Sequence, residues 1–291
     1  MAGFGPILLA ALAAVAPFGS GGVTSVAAPP QALRLDPFYQ KYVDARGIPI
    51  IGSAKVPDTA LFAARDIVNG QLSARGDIRA ELMRRGVRVA VIGVDEGTTD
   101  LPENRHWKKP APDDPRLTKC ERDEYQARIG ATTDRQYWDQ RTRGTGGTLT
   151  SVGAENLLGV PGSRYFGENL LIHEFSHAIL SAIETVDPPL FGRIGEAYQR
   201  AIAEGRWRGD YAAVSLQEYW AEGSQFWFQS NMISRLDDGT ILSRRDLRSY
   251  DPLLHAALGE AYTNRGGIPA DIFHKHVARL NVPFGRKSAD C

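Results

Sequence analysis

Apolar residues recur at helical spacing over residues 57–73, where Leu61, Ala64, Ile67, Val68 and Leu72 share one side. The spacing predicts a helix there, and a second one from Asp77 to a glycine stop at Gly86. The period then changes: residues 87–92 alternate and are β-branched, which predicts a strand, and residues 47–52 form a shorter extended segment. Residues 95–147 have little apolar periodicity and are rich in proline, glycine and charge. Within them, 108–115 reads as a loop. Residues 144–147 read as a turn and not a phosphate loop, because no strand and helix flank them properly. A further strand is expected at 148–152. The most continuous apolar stretch of the chain body follows, from Leu170 to Ile183. Pro188-Pro189 stops that run and opens a helix over 190–204. A turn at 205–210 leads to a dense helical pattern from Leu216 to about Ser230, and two more helices are expected near 252–263 and 269–279. The expected class is α+β: a small twisted sheet followed by a mainly helical C-terminal part.

The long apolar stretch contains His173-Glu174-Phe175-Ser176-His177, an H-E-x-x-H pentad. Residues four apart lie on nearly the same face of a helix. Two imidazoles so placed can share one Zn²⁺, with Glu174 beside the position of a bound water. A longer form of the motif ends in a third histidine, but those positions here hold Leu180 and Ile183. A catalytic zinc still needs a third protein ligand and an open position. Glu218 and Glu222, four apart on the next dense helical pattern, are the candidates. One carboxylate would bind the metal while the other holds a ligand imidazole by its second nitrogen. The helix pattern alone does not choose between them. Ser215-x-x-Glu218 is also a capping box, so Glu218 has a structural alternative.

H-E-x-x-H followed by a glutamate on a later helix resembles the gluzincin arrangement. Glu218-Tyr219-Trp220-Ala221-Glu222 is similar to the Glu-aromatic-aromatic-Ala-Glu segment of the anthrax lethal factor and Pro-Pro endopeptidase group. The resemblance covers about residues 165–230. It implies a zincin-like catalytic domain with His173, His177 and Glu218 as zinc ligands and Glu222 behind them. It also implies that Tyr211, seven residues before Glu218, lies over the site and stabilises the transition state. Asn156-Leu157-Leu158 and the run into Gly167-Glu168-Asn169 are compatible with the segment entering the active helix. Because zincins commonly offer a sheet edge to an extended peptide, 148–152 is the expected edge.

Composition fits a globular enzyme. The chain has 291 residues, 43% of them hydrophobic and 23% charged, with a formal net charge of zero. No basic run is present, which argues against a nucleic-acid partner. Lys108-Lys109 and Arg244-Arg245 read as solvated pairs, and Trp220, Phe226 and Trp227 as core packing. Residues 7–15 are a short apolar run followed by Ser25-Val26-Ala27, which reads as a signal peptide over 1–27 with no positive side chain in front of it. The run is too short to span a membrane, so a secreted protein without a stable membrane anchor is expected. Residues 28–291 would then be one metallopeptidase domain, with an α/β lobe over about 36–165 and a helical lobe over about 166–291. In an exported chain, Cys120 and Cys291 are expected to form one bridge, the alternative being two thiols. His274-x-His276 falls in a region read as helical, where i and i+2 diverge, so it is not expected to touch metal.

The chemistry these residues imply is peptide hydrolysis by a zinc-activated water, with Glu174 as general base and Tyr211 on the oxyanion. Two alternatives stand beside it: a binding protein with a vestigial zinc site, and a zinc hydrolase of a non-peptide amide.

Overall fold

The computed structural model describes residues 25–115, 117–263 and 267–281. Five strands form one mixed sheet: β1 (Lys41–Asp44), β2 (Pro49–Gly52), β3 (Arg88–Ile92), β4 (Gly144–Thr145) and β5 (Leu149–Gly153), in the order β1-β2-β3-β5-β4. The β1–β2 hairpin turns through Arg46 and Gly47, at φ 54° and 92°. Two successive positive φ values suit a two-residue hairpin loop. The β2–β3 pair is parallel, so the chain must cross over between them, and it does so through α1 (Asp58–Gln71) and α2 (Gly76–Arg84). β3 and β5 are also parallel. Alternation along the strands separates two faces. Ile50, Val89, Val91 and Val152 pack on the helices, while Ile51, Ala90 and Ile92 join Tyr39 and Leu101 on the far side. An interior parallel strand is buried on both faces, which is why alternation in residues 87–92 does not mark a solvent side.

Three short helices follow β3: α3 (Lys119–Asp123), α4 (Asp134–Arg141) and, after β5, α5 (Ala154–Leu157). The C-terminal half is mainly helical, with α6 (Leu170–Val186), α7 (Pro188–Ala203), α8 (Leu216–Phe228), α9 (Arg244–Tyr250) and α10 (Pro252–Tyr262). A hairpin of β6 (Ser234–Leu236) and β7 (Gly239–Ile241) lies between α8 and α9. Asp187 closes α6 and caps α7 by accepting from Leu190 N, so the two prolines sit in the first turn of α7, where no backbone donor is needed. One buried cluster runs from Val43 to Ile268 and joins the sheet to α6, α7, α8 and α10. The fold is α+β, as the hydrophobic pattern predicts. Among the described residues no helix is long and apolar enough to cross a membrane.

Several elements differ from expectation. Residues 144–147 contribute an edge strand, β4, which folds back antiparallel on β5, so β5 is interior and the edge beside α6 is β4. Residues 269–279 are not an α-helix. The buried Asp271 carboxylate accepts from Phe273 N, Asn169 Nδ2 and Ser230 Oγ, and these local bonds replace a helical turn. A 3-10 turn, Val277–Leu280, follows. Neither the β6–β7 hairpin nor α9 carries enough apolar periodicity to be expected. Arg244 is not solvated: its guanidinium lies 3.4 Å from the centre of the Trp227 ring. Nor is Lys109, whose ammonium donates to the carbonyls of Ile129, Gly130 and Thr132. Trp220, Phe226 and Trp227 are fully buried, as expected. Most of the leader region, 1–24, lies outside the described residues, and so does Cys291, the expected partner of Cys120 on α3.

The start of α6 depends on Gly167. Its φ is +120°, and a Cβ there would fall 2.6 Å from the Ala278 carbonyl oxygen. Gly167→Ala is therefore expected to destabilise the protein by about 2 kcal/mol or more, through strain and overlap together. Urea unfolding measures this, and an unchanged midpoint would contradict it.

Candidate metal centre

The side-chain positions follow from how α6 begins. Asn169 is its N-cap: its Oδ1 accepts from Ile172 N, and its Nδ2 donates to Asp271 Oδ1 at 2.8 Å. Asn156, on α5, holds the approach by donating to the Glu168 carbonyl and accepting from Leu170 N. Both asparagines are buried and both ends of each amide are satisfied, Asn156 by backbone and Asn169 by the Ile172 N–H and the Asp271 carboxylate, so the helix start is fixed to the sheet side and to the C-terminal segment. His173 and His177 then fall on one face of α6, as the pentad predicts.

α8 supplies the opposing face. Ser215 caps it by accepting from Glu218 N at 3.2 Å. The Glu218 carboxylate turns instead to His173, with Oε2 3.0 Å from Nε2, so cap and site use different parts of one residue. The same oxygen lies 3.7 Å from His177 Nε2. One ligand atom from each of His173, His177 and Glu218 lies within 4.8 Å of the others. Ligands at 2.0–2.1 Å around a tetrahedral ion stand about 3.3 Å apart, and the two distances to Glu218 bracket that value. Two imidazoles and a carboxylate form a zinc-type donor set.

Glu174, Tyr211 and Glu222 line the same cleft of about 760 Å³, a size within the range of small-ligand and peptide sites. Glu174 Oε2 is 3.9 Å from His177 Nε2. The Tyr211 ring lies nearly parallel to His173, with centres 6.3 Å apart, and its residue is exposed to the cleft. Asp210 holds that segment: its carboxylate accepts from Ala212 N and from Ser234 Oγ on β6, tying Tyr211 to the hairpin that forms one wall. All six residues singled out from the sequence thus meet in one place. His274 and His276 do not join them. His274 bonds to the Phe228 carbonyl, and His276 caps the last 3-10 turn.

The electrostatics call for positive charge where the carboxylates converge. Burial acts against a charged His173, but the Glu218 hydrogen bond and the charges of Glu174 and Glu222 outweigh it and hold the imidazole up at about 10. Burial and the neighbouring His173 charge push His177 down to about 4. Burial also raises Glu174 to about 7. For Glu218 burial is again the largest influence and would raise it, yet the bond to His173 and the two imidazoles keep it below its ordinary value. A divalent cation held between these groups would supply such charge.

Three features of the site carry no sequence signal strong enough to be expected. Gln225 Oε1 is 3.1 Å from His173 Nδ1, whereas Glu222 Oε1 is 3.6 Å from it. Gln225 lies seven residues after Glu218, two turns along the same face of α8, and that spacing is the signal that points to it. The other two are glycines. A Cβ on Gly144 would come 3.1 Å from Glu174 Cγ, and one on Gly146 would come 2.6 Å from His177 Cδ2 and 2.9 Å from the Glu174 carbonyl. The strand edge touches the site because these positions have no side chain. Arg143, just before β4, pairs with Glu155 at 2.7 Å and donates to the Gly93 and Glu96 carbonyls, which sets that edge in place.

No protein-family model and no curated protein matches the chain. Among solved structures it is similar to a Pro-Pro endopeptidase from Paenibacillus alvei, at 17% identity and a TM-score of 0.45, over 72% of this chain and 96% of that one. Similarity of this degree leaves the chemistry to be argued from this chain's own residues.

Close packing of Gly146 gives a direct test. Gly146→Ala must displace either the turn or the His177 ring, so affinity for a divalent metal at the candidate site is expected to fall by about 10-fold or more while helical content is retained. Chelator-competition titration with far-ultraviolet circular dichroism measures both, and unchanged affinity would contradict the packing.

Proposed function

We propose that the protein is a secreted zinc endopeptidase with a zincin-like, gluzincin-type catalytic domain over residues 28–291. The observation that carries this reading is the convergence of His173, His177 and Glu218 on the floor of an open cleft, with Glu174 alongside. Export is supported by the apolar run at 7–15 and the small residues that follow it. A peptide or protein is the proposed substrate, because Gly144 and Thr145 of the β4 edge line the cleft together with Tyr211, and a sheet edge takes an extended chain as a further strand.

In this reading His173, His177 and Glu218 hold the ion. Zinc at such a site supplies an acidified water and a Lewis acid for the scissile carbonyl. Glu174 removes a proton from the attacking water and delivers it to the leaving amine nitrogen. Its raised proton affinity, caused by burial, suits a group that must both accept and release one. The Tyr211 hydroxyl donates to the oxyanion as the carbonyl carbon becomes tetrahedral. Burial keeps that phenol protonated, raised further by the carboxylates around it, so it remains a donor. Glu222 sits behind the ligands, where its Oε2 accepts from Asn231 and its charge adds to the field on His173.

Cleavage of an unbiased peptide pool by the purified protein tests the function. Cleavage that is lost on chelation and restored by zinc is expected. A protein that binds zinc yet cuts no peptide, or cuts only a non-peptide amide, would contradict it. Two substitutions test the roles. Glu174→Gln is expected to keep near-stoichiometric zinc and lose most turnover; wild-type turnover would remove Glu174 as the base. Tyr211→Phe keeps the ring and removes one donor, so kcat is expected to fall by about 10²–10³ with zinc content unchanged. An unchanged kcat, with chemistry rate-limiting, would leave Tyr211 as a wall residue only.

A further inference from the structure

We infer that Gln225 is a positioning residue that sets the orientation and tautomer of His173, a role that rests on the metal reading above. Gln225 is fully buried between α6 and α8. Its amide has a donor end and an acceptor end, and its surroundings decide which end faces where. The Asn169 carbonyl can only accept, and it lies 3.0 Å from Gln225 Nε2, so the NH₂ end must face it. The oxygen end therefore faces His173 Nδ1 at 3.1 Å. An amide oxygen cannot donate, so Nδ1 carries the proton. That leaves Nε2, the atom beside Glu218, as the nitrogen whose lone pair is available to a metal.

Glu222 is the competing acceptor, and the geometry ranks it second. Its Oε1 stands 3.6 Å from Nδ1, beyond hydrogen-bond length, and its Oε2 accepts from Asn231 Nδ2 at 2.6 Å. Gln225 also acts at a second point. The Asn169 carbonyl that it engages is the one that receives the His173 backbone N–H, at 3.4 Å. One side chain thus grips both the His173 ring and the Asn169 carbonyl that accepts the His173 backbone N–H. A neutral acceptor does this without adding a fourth carboxylate to Glu174, Glu218 and Glu222.

Two variants separate the orienting contact from simple packing. Gln225→Leu has nearly the same volume and no acceptor; Gln225→Glu keeps an acceptor toward Nδ1 and gives up the amide donor to Asn169. The measurements are zinc affinity by chelator competition, the visible spectrum of the cobalt-substituted protein, and ¹⁵N-histidine magnetic resonance of the full chain. Gln225→Leu is expected to weaken zinc by about 10–100-fold and to alter the cobalt spectrum, while Gln225→Glu, which keeps an acceptor at Nδ1, is expected to lose less than Gln225→Leu in both. The wild-type chain is expected to show a slowly exchanging proton on His173 Nδ1 with or without zinc, and Gln225→Leu to lose that protection. Wild-type zinc affinity in Gln225→Leu, or an Nδ1 proton protected by Glu222 and lost in Glu222→Gln instead, would overturn the inference. A wild-type chain that binds no zinc would remove the metal reading, and the Nδ1 proton would still decide the role of Gln225.

Discussion

The contact between His173 on α6 and the polar face of α8 constrains the rest of the site. An imidazole buried among three carboxylates is costly in isolation; taking an ion out of water costs several kcal/mol even after relaxation. Here the Glu218 carboxylate faces Nε2 and the Gln225 oxygen faces Nδ1, so neither ring nitrogen is left without a polar neighbour. The opposite side of α8 offsets what remains. Trp220 and Trp227 are fully buried on it, and each contributes on the order of 3 kcal/mol of hydrophobic stabilisation. The helix that carries the polar face is thereby held against the core by its aromatic face, and its offset from α6 fixes how Glu218 meets both histidines.

Three further devices turn that crossing into an accessible site. Asn169 and Asn156 anchor the start of α6, so the pentad begins at a fixed height above the sheet. Gly144 and Gly146 bring the sheet edge into van der Waals range of Glu174 and His177, where any side chain would hold it away. Asp210 joins the Tyr211 segment to the β6–β7 hairpin and builds the opposite wall. Each device places buried polar groups or glycines at a boundary of the cleft, and the polar groups find their partners within the protein.

The strongly periodic parts of this architecture were legible in the sequence. Period and length placed α1, α2, β3, α6, α7 and α8, because those segments bury one face or all faces and their apolar spacing records it. The six candidate site residues, which the fold brings to one cleft, could be singled out because helical spacing and a resemblance of motifs both constrained them. The remainder was set by contacts distant in sequence. Nothing local distinguishes Gly144-Thr145 as an edge strand, since its pairing comes from β5 and its closeness to α6 from what glycine lacks. Residues 269–279 have an apolar pattern compatible with a helix, but Asp271 is claimed by Asn169 and Ser230, and Ile272 and Val277 stay exposed. Gln225 reads as one more polar residue on a helix until α6 is laid against it.

Zinc-edge X-ray absorption on the purified protein, with its metal content determined, reads the donor atoms around the ion. One zinc per chain is expected, with two imidazole nitrogens and a carboxylate oxygen at about 2.0–2.2 Å and a further light-atom ligand. A chain without stoichiometric zinc, or an ion surrounded by sulfur or by a single imidazole, would contradict that expectation.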